Sequence, residues 1–200
     1  MIVIVDYGLV NLTSIANMFR KFGGQVVISA NHHEIEAAEK IILPGVGHFK
    51  TGMNNLVQTG LKNLLDRIVL VEKRPILGIC LGAQLMTRHS EEGNTDGLGW
   101  VDANTVRFRS EEIDGLKIPH MGWREISIAK TNKILSGLPN DPRFYFVHTF
   151  HFEFENEEQV SATSLYGYSF CCSFNKENIY GTQFHPEKSH KFGMKVLENF

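Results

Sequence analysis

Along the first half of the chain, uninterrupted aliphatic runs alternate with amphipathic stretches. Ile2-Val3-Ile4-Val5 is apolar throughout, the pattern of a strand buried on both faces of a sheet. Asp6-Tyr7-Gly8 breaks it. Leu12, Ile15, Phe19 and Phe22 then recur at helical spacing, with Asn11 placed to cap and Gly23-Gly24 to stop. Gln25–Ile28 predicts a second strand, Glu34–Ala38 a short helix, and Lys40–Leu43 a third strand ending at Pro44. A helical region over 53–72 precedes a fourth apolar run, Pro75-Ile76-Leu77-Gly78-Ile79. Strands alternating with helices at this spacing predict an α/β fold with a mostly parallel sheet flanked by helices.

From Trp100 the pattern changes. Val101–Arg109, Ile118–Met121, Glu125–Ala129, Arg143–Val147, Val160–Ser164, Ser169–Phe174 and Ile179–Gln183 are short strand-like runs separated by turns. They read as antiparallel extensions of the same sheet. Ser189 is placed to cap a last helix whose apolar face is Phe192, Val196 and Phe200. With no linker, repeat or low-complexity segment, residues 1–200 are expected to form a single domain.

Composition narrows the function classes. Two hundred residues with 42% hydrophobic content can bury a sizeable core. Twenty basic against 22 acidic side chains leave a net charge of -2, no electrostatic case for nucleic acid or a membrane surface. No apolar run approaches the roughly 20 residues that span a bilayer, and the start reads as a strand, not a signal peptide. Three cysteines, two of them adjacent, make no disulfide framework and fit the cytoplasm.

One of those cysteines has a chemical setting. In Gly78-Ile79-Cys80-Leu81-Gly82-Ala83-Gln84, Cys80 stands between a buried strand and a run of helix formers, beside backbone N–H groups that favour thiolate. Gly78 and Gly82 remove Cβ atoms where the turn would crowd. This is a nucleophile-elbow pattern with cysteine in place of serine. A lone cysteine there is more often a buried hydrophobe, so the reading needs a base. Phe184-His185-Pro186-Glu187 supplies one. Pro186 biases His185 toward extended backbone, and in extended backbone residues two apart share a face. A carboxylate at Glu187 can therefore orient the imidazole of His185. Pro44-Gly45-Val46-Gly47 lies just past the third strand's carboxyl end, the edge where ligands bind in such sheets.

Together these segments resemble the class I, triad-type glutamine amidotransferases. Ser90-Glu91-Glu92-Gly93, Pro119-His120-Met121-Gly122-Trp123 and Tyr145-Phe146-Val147-His148-Thr149 narrow the likeness to the HisH-type glutaminase subunits of imidazole glycerol phosphate synthase. The resemblance runs from Asp6 to the final helix. It implies hydrolysis of L-glutamine to glutamate and ammonia with no cofactor and no metal. Cys80 would be the nucleophile, His185 the base and Glu187 its orienter. It further implies oxyanion donors at Val46, Gly47 and Leu81, and glutamine recognition by Gln84 and Glu92 with backbone at His148 and Thr149. A HisF-type (β/α)8 cyclase would receive the ammonia, docking against positions matching Asn11, Ser14, Trp123, Arg124, Tyr145 and Lys188.

The chain departs from the family pattern at Val10 and Arg124, where Gly and Asn are usual, and at His48 and Phe150. These changes cluster near the expected docking loops and leave the triad intact. An alternative is a HisH-like paralogue supplying ammonia for amidotransfer to a surface-polysaccharide sugar, which the Ser189-His190-Lys191-Phe192-Gly193-Met194 ending and Glu91-Glu92-Gly93 resemble. A non-catalytic binding subunit is opposed by the intact triad. A cysteine peptidase is opposed by Gln84 and Glu92.

Overall fold

The computed structural model describes the chain except residues 10, 11 and 114. Asn11, expected as a helix cap and interface residue, and the Val10 departure lie outside the described residues. In the first half, β1 (Ile2–Val5), α1 (Leu12–Lys21), β2 (Val26–Ser29), α2 (His32–Glu36), β3 (Lys40–Gly45), α3 (Phe49–Gln58) and α4 (Leu61–Asp66) lead to β4 (Ile76–Cys80) and α5 (Leu81–Gln84). The second half contains the two-residue strands β5 (His89–Ser90) and β6 (Thr95–Asp96), then β7 (Ala103–Arg107) and β8 (His120–Ile128). It continues through β9 (Arg143–His148), β10 (Phe150–Phe154), β11 (Val160–Tyr166), β12 (Tyr168–Lys176), β13 (Ile179–Thr182) and α6 (His190–Asn199).

The strands join in one mixed sheet, ordered β2-β1-β3-β4-β13-β12-β10-β7-β5-β6, with β11, β8 and β9 branching from β12. The first four strands and β13 are parallel to their neighbours there, and β12 turns the sheet antiparallel. Alternate residues of the central strands feed two cores. Val3, Val5, Ile41 and Leu43 pack with Phe49, Leu56, Leu61 and Leu65 of α3 and α4. Ile4, Ile42, Leu77 and Ile79 pack with Ile15 and Phe19 of α1 and with Val196 and Leu197 of α6. Each such side chain contributes about 1.5–3 kcal/mol on burial, and both faces are covered, so the aliphatic runs need no polar alternation.

Several elements differ from the hydrophobic pattern. The helical region over 53–72 begins earlier, at Phe49, because His48 Nδ1 accepts the Lys50 N–H and caps α3. It breaks at Gly60, whose φ of 73° is left-handed, and α4 then runs into a π-turn over Arg67–Val71. The helix after Cys80 is only four residues long. Its continuation is diverted because the carbonyls of Leu85 and Met86 accept from Leu98 and Trp100 rather than from the next turn. Ile118–Met121 and Glu125–Ala129 prove to be parts of one strand, β8, and β10 carries an aromatic run that the pattern did not isolate. Ser189 stands at the N-cap of α6 without a capping bond. Its hydroxyl instead donates to His185 O at 2.7 Å and accepts from Tyr145 N–H at 3.0 Å. No helix among the described residues is long and apolar enough to cross a membrane.

Candidate active site

The carboxyl ends of β3, β4 and β13 meet at one edge, and register places their chemistry together. Gly45 pairs with Cys80 across β3 and β4, and Thr182 pairs with Ile79 across β13 and β4. Val46-Gly47 therefore leaves the sheet beside Cys80, and Gln183–Glu187 leaves it on the other side. Sequence separations of about a hundred residues are erased by three adjacent strand ends.

Cys80 adopts φ 52° and ψ -114°, outside the regions open to ordinary L-residues. Such backbone costs about 1–3 kcal/mol and persists where its surroundings enforce it. Gly82 is what enforces the turn: a Cβ there would lie 1.8 Å from Leu43 O, so α5 can sit directly on β3 only with glycine at that position. Tyr7 donates from its buried hydroxyl to Pro44 O at 2.7 Å, fixing the exit of β3. Burial and the neighbouring Cys80 push the Tyr7 phenol upward, so it stays a donor. Cys80 is 7% exposed, and its sulfur lies 4.0 Å from Val147 O and accepts from Gln183 Nε2 at 3.7 Å.

His185 and Glu187 share a face as the extended spacing predicts. His185 Nδ1 lies 2.8 Å from Glu187 Oε1, and both side chains are 1% exposed. Because the carboxylate accepts, Nδ1 carries the proton, and Nε2 is left on the side of the Cys80 sulfur. Burial pulls the imidazole down, but the Cys80 sulfur and the Glu187 carboxylate more than offset it, and His185 is pushed up to about 10. That upward shift favours the charged imidazolium, a form able to release a proton on the side of the sulfur. The other cysteines lack this setting. Burial drives both Cys171 and Cys172 upward, keeping them thiols.

A cavity of about 310 Å³ opens over the sulfur, lined by Val46, Gly47, Leu81, Gln84, Glu92, Pro119 and the 147–150 segment. This one space brings together the expected oxyanion and glutamine-binding positions. Gly47 has φ 116°, a conformation that frees its N–H from the strand pattern. Glu92 is anchored by accepting Phe49 N–H at 2.7 Å through Oε2, which leaves Oε1 to receive a cation. Gln84 is less free than its expected role implies. Its amide protons go to Phe150 O at 3.0 Å and Gln183 Oε1 at 3.1 Å, so only its own oxygen can face a substrate ammonium.

The expected docking residues lie on a neighbouring face. Trp123 is 42% exposed, edge-on to Tyr145 and stacked on His190. Lys188 Nζ sits 5.7 Å from the Tyr145 ring centroid, and the Arg124 guanidinium 5.4 Å from that of Tyr166. Ser14 is exposed on α1. Hydrogen bonding ties this face to the base, since His185 N–H donates to Tyr145 O at 3.0 Å. Two residues of the site, Gln183 and Tyr7, escaped the sequence reading. Gln183 was within reach of it, because the two-residue alternation that pairs His185 with Glu187 also pairs Gln183 with His185. His89, at the rim of the sheet, is held by Asp96 and Asn94. Among the described residues no group of His, Cys, Asp and Glu is arranged to hold a metal ion.

Comparison with known proteins identifies the family. The family model Glutamine amidotransferase class-I matches residues 3–200. The chain is 48% identical to "Imidazole glycerol phosphate synthase subunit HisH 2" of Methanococcus maripaludis and 44% identical to a protein of the same name in Pseudomonas aeruginosa. Each match covers 100% of this chain and 98% of the relative. Among solved structures, a glutamine amidotransferase from Thermotoga maritima superposes with a TM-score of 0.67 at 18% identity, covering 98% of this chain and 80% of that one, a likeness of fold. The chain belongs to the class I glutamine amidotransferases, and within them it resembles the HisH subunits.

Proposed function

We propose that the chain is the glutaminase subunit of an imidazole glycerol phosphate synthase. It hydrolyses L-glutamine to glutamate and ammonia, and a HisF-type (β/α)8 cyclase partner consumes the ammonia. The products there would be imidazole glycerol phosphate and an aminoimidazole carboxamide nucleotide of histidine biosynthesis. The observation that carries the reading is the convergence of Cys80, on a strained elbow, with a His185–Glu187 pair under one small cavity. Identity to HisH subunits across the whole chain supports the pathway. The three free cysteines fit a reducing cytoplasm.

The chemistry follows from the protonation states. Cys80 Sγ attacks the carboxamide carbon of glutamine, and the carbonyl electron pair moves onto oxygen. Backbone N–H groups of Val46, Gly47 and Leu81 receive that charge, each worth about 3–4 kcal/mol in the transition state. Collapse breaks the C–N bond as His185 Nε2 gives its proton to departing ammonia, leaving a glutamyl thioester. Water then attacks the thioester and yields a proton to Nε2. A second collapse releases glutamate and restores the resting pair. Glu187 holds Nδ1–H throughout. Glu92 Oε1 and Gln84 Oε1 are the acceptors suited to the substrate's α-ammonium, and backbone at His148 and Thr149 completes the cradle.

Docking is assigned to the face carrying Ser14, Trp123, Arg124, Tyr145 and Lys188. A groove of about 610 Å³ adjoins it and reaches Glu187, with Lys21, Lys188, Lys191 and Lys195 along its walls. An acidic partner surface suits that lining. Pressure on Tyr145 is felt at His185 through their backbone bond, so partner binding is expected to raise a low basal activity. Equal turnover with and without partner would refute that coupling. The decisive test is complementation of a histidine auxotroph together with Cys80→Ala. Loss of rescue and of glutamate release supports the reading, and failure of the intact chain to complement while it hydrolyses glutamine overturns the pathway.

A further inference from the structure

The hydrogen bonds behind the nucleophile form a chain whose direction is fixed at every step. Phe150 O can only accept, so the Gln84 amide group facing it at 3.0 Å is the nitrogen. The second proton of that nitrogen goes to the Gln183 side chain at 3.1 Å, which must therefore present its oxygen. Gln183 Nε2 is thereby turned to Cys80 Sγ, 3.7 Å away. Phe150 O accepts a second bond from His148 Nδ1 at 2.7 Å. A neutral His148 then has only a lone pair at Nε2, and His120 Nδ1, 2.9 Å from it, is the donor. The chain ends at His120 Nε2, which is buried with no partner. Burial holds both imidazoles well below the ordinary histidine range, His120 at about 4, so both are neutral as this pattern requires.

We propose that Gln183 is a catalytic residue that donates to the Cys80 sulfur, and that His120 is a positioning residue setting it through His148, Phe150 O and Gln84. The inference deepens the reading of Cys80 as nucleophile and rests on it. His120, Gln183 and Thr105 beside them are fully buried, so the amide that meets the sulfur cannot exchange its partner for water. A thiolate that keeps a fixed N–H donor is favoured over the thiol. His120 opens β8, the strand that carries Trp123 and Arg124 to the surface, so the far end of the chain lies on an element of the docking face.

Packing and hydrogen bonding make opposite forecasts for His120. Its ring is stacked between Phe146, with centroids 5.0 Å apart, and Tyr166, at 4.0 Å. His120→Phe keeps a ring in the stack and removes the donor. His120→Asn sacrifices ring volume and keeps an N–H near the Nδ1 position. Gln183→Glu is isosteric and replaces the donor by a negative acceptor.

The test is the rate of Cys80 carboxamidomethylation by iodoacetamide against pH, read by mass spectrometry on the full chain. The thiolate displaces iodide, so the rate reports thiolate directly and needs neither glutamine nor partner. A failed glutaminase assignment would leave this readout intact. Expected at pH 7 is a fall of about 10- to 100-fold for Gln183→Glu, with the profile displaced to higher pH. His120→Phe should lose about 3- to 10-fold and His120→Asn stay within about twofold of wild type. Coincident profiles for Gln183→Glu and wild type would overturn the role of Gln183. His120→Phe outperforming His120→Asn would reduce His120 to packing.

Discussion

Replacing Glu187 by glutamine isolates what the third member of the site contributes. The change removes one charge without removing volume, at a position whose side chain is 1% exposed and 2.8 Å from His185 Nδ1. A charge-assisted bond of this kind contributes about 1.5–3 kcal/mol, so its loss from the transition state slows the reaction about 10- to 100-fold. The amide can also present its NH2 to Nδ1, forcing the other tautomer and occupying Nε2 with a proton when it must accept one. For carboxylate-to-amide exchange behind a catalytic histidine that second effect raises the loss to about 10⁴-fold, the magnitude known from the serine-protease case. The expected fall in glutamate release is thus about 10²- to 10⁴-fold, carried in kcat with little change in KM. Stability supplies a second readout. His185 stands at about 10 against an ordinary 6.5, so its contribution is complete below about pH 6.5 and is lost as pH rises through 10. Denaturant midpoints of wild type should fall over that window, and Glu187→Gln should flatten the fall. A variant with kcat within about threefold of wild type and an unchanged pH dependence would refute the orienter role.

Other perturbations probe separate links. Gly82→Ala places a methyl 1.8 Å from Leu43 O and should cost about 3 kcal/mol or more in unfolding free energy, read by urea denaturation; a cost under about 0.5 kcal/mol would mean α5 does not rest on β3. Tyr7→Phe strands a buried carbonyl at the β3 exit, expected to cost about 1–3 kcal/mol and to lower glutamate release beyond any loss of folded protein. Phe144→Ala removes a ring stacked 3.9 Å from Phe184 and should cost about 3–5 kcal/mol by calorimetry or denaturation. Lys188→Ala leaves the Cys80 alkylation profile of the isolated chain as in wild type, but weakens association with the co-purified partner in calorimetric titration; unaltered affinity would move the docking face elsewhere.

How much of this arrangement the sequence discloses depends on whether a signal is local. The buried strands are legible because aliphatic runs such as Ile2–Val5 permit few other fates. The His185–Glu187 pair is legible because extended backbone fixes its geometry from two positions alone. The start of α3 is not, since its cap is a histidine nitrogen rather than a hydroxyl or carboxylate. Nor is the early end of α5, which is imposed by Leu98 and Trp100 claiming carbonyls from a segment more than ten residues away. The case of Ser189 is similar. Its hydroxyl suits an N-cap, but it is turned to partners brought by β9 and His185 instead. Gln84 is the instructive instance at the site. Its sequence context supports substrate recognition, yet only tertiary contacts reveal that both amide protons are committed to protein acceptors. Its nitrogen is spent on Phe150 O and Gln183, and its oxygen is what it has left to offer a ligand. That division follows from the direction of each hydrogen bond, which residue type alone does not encode.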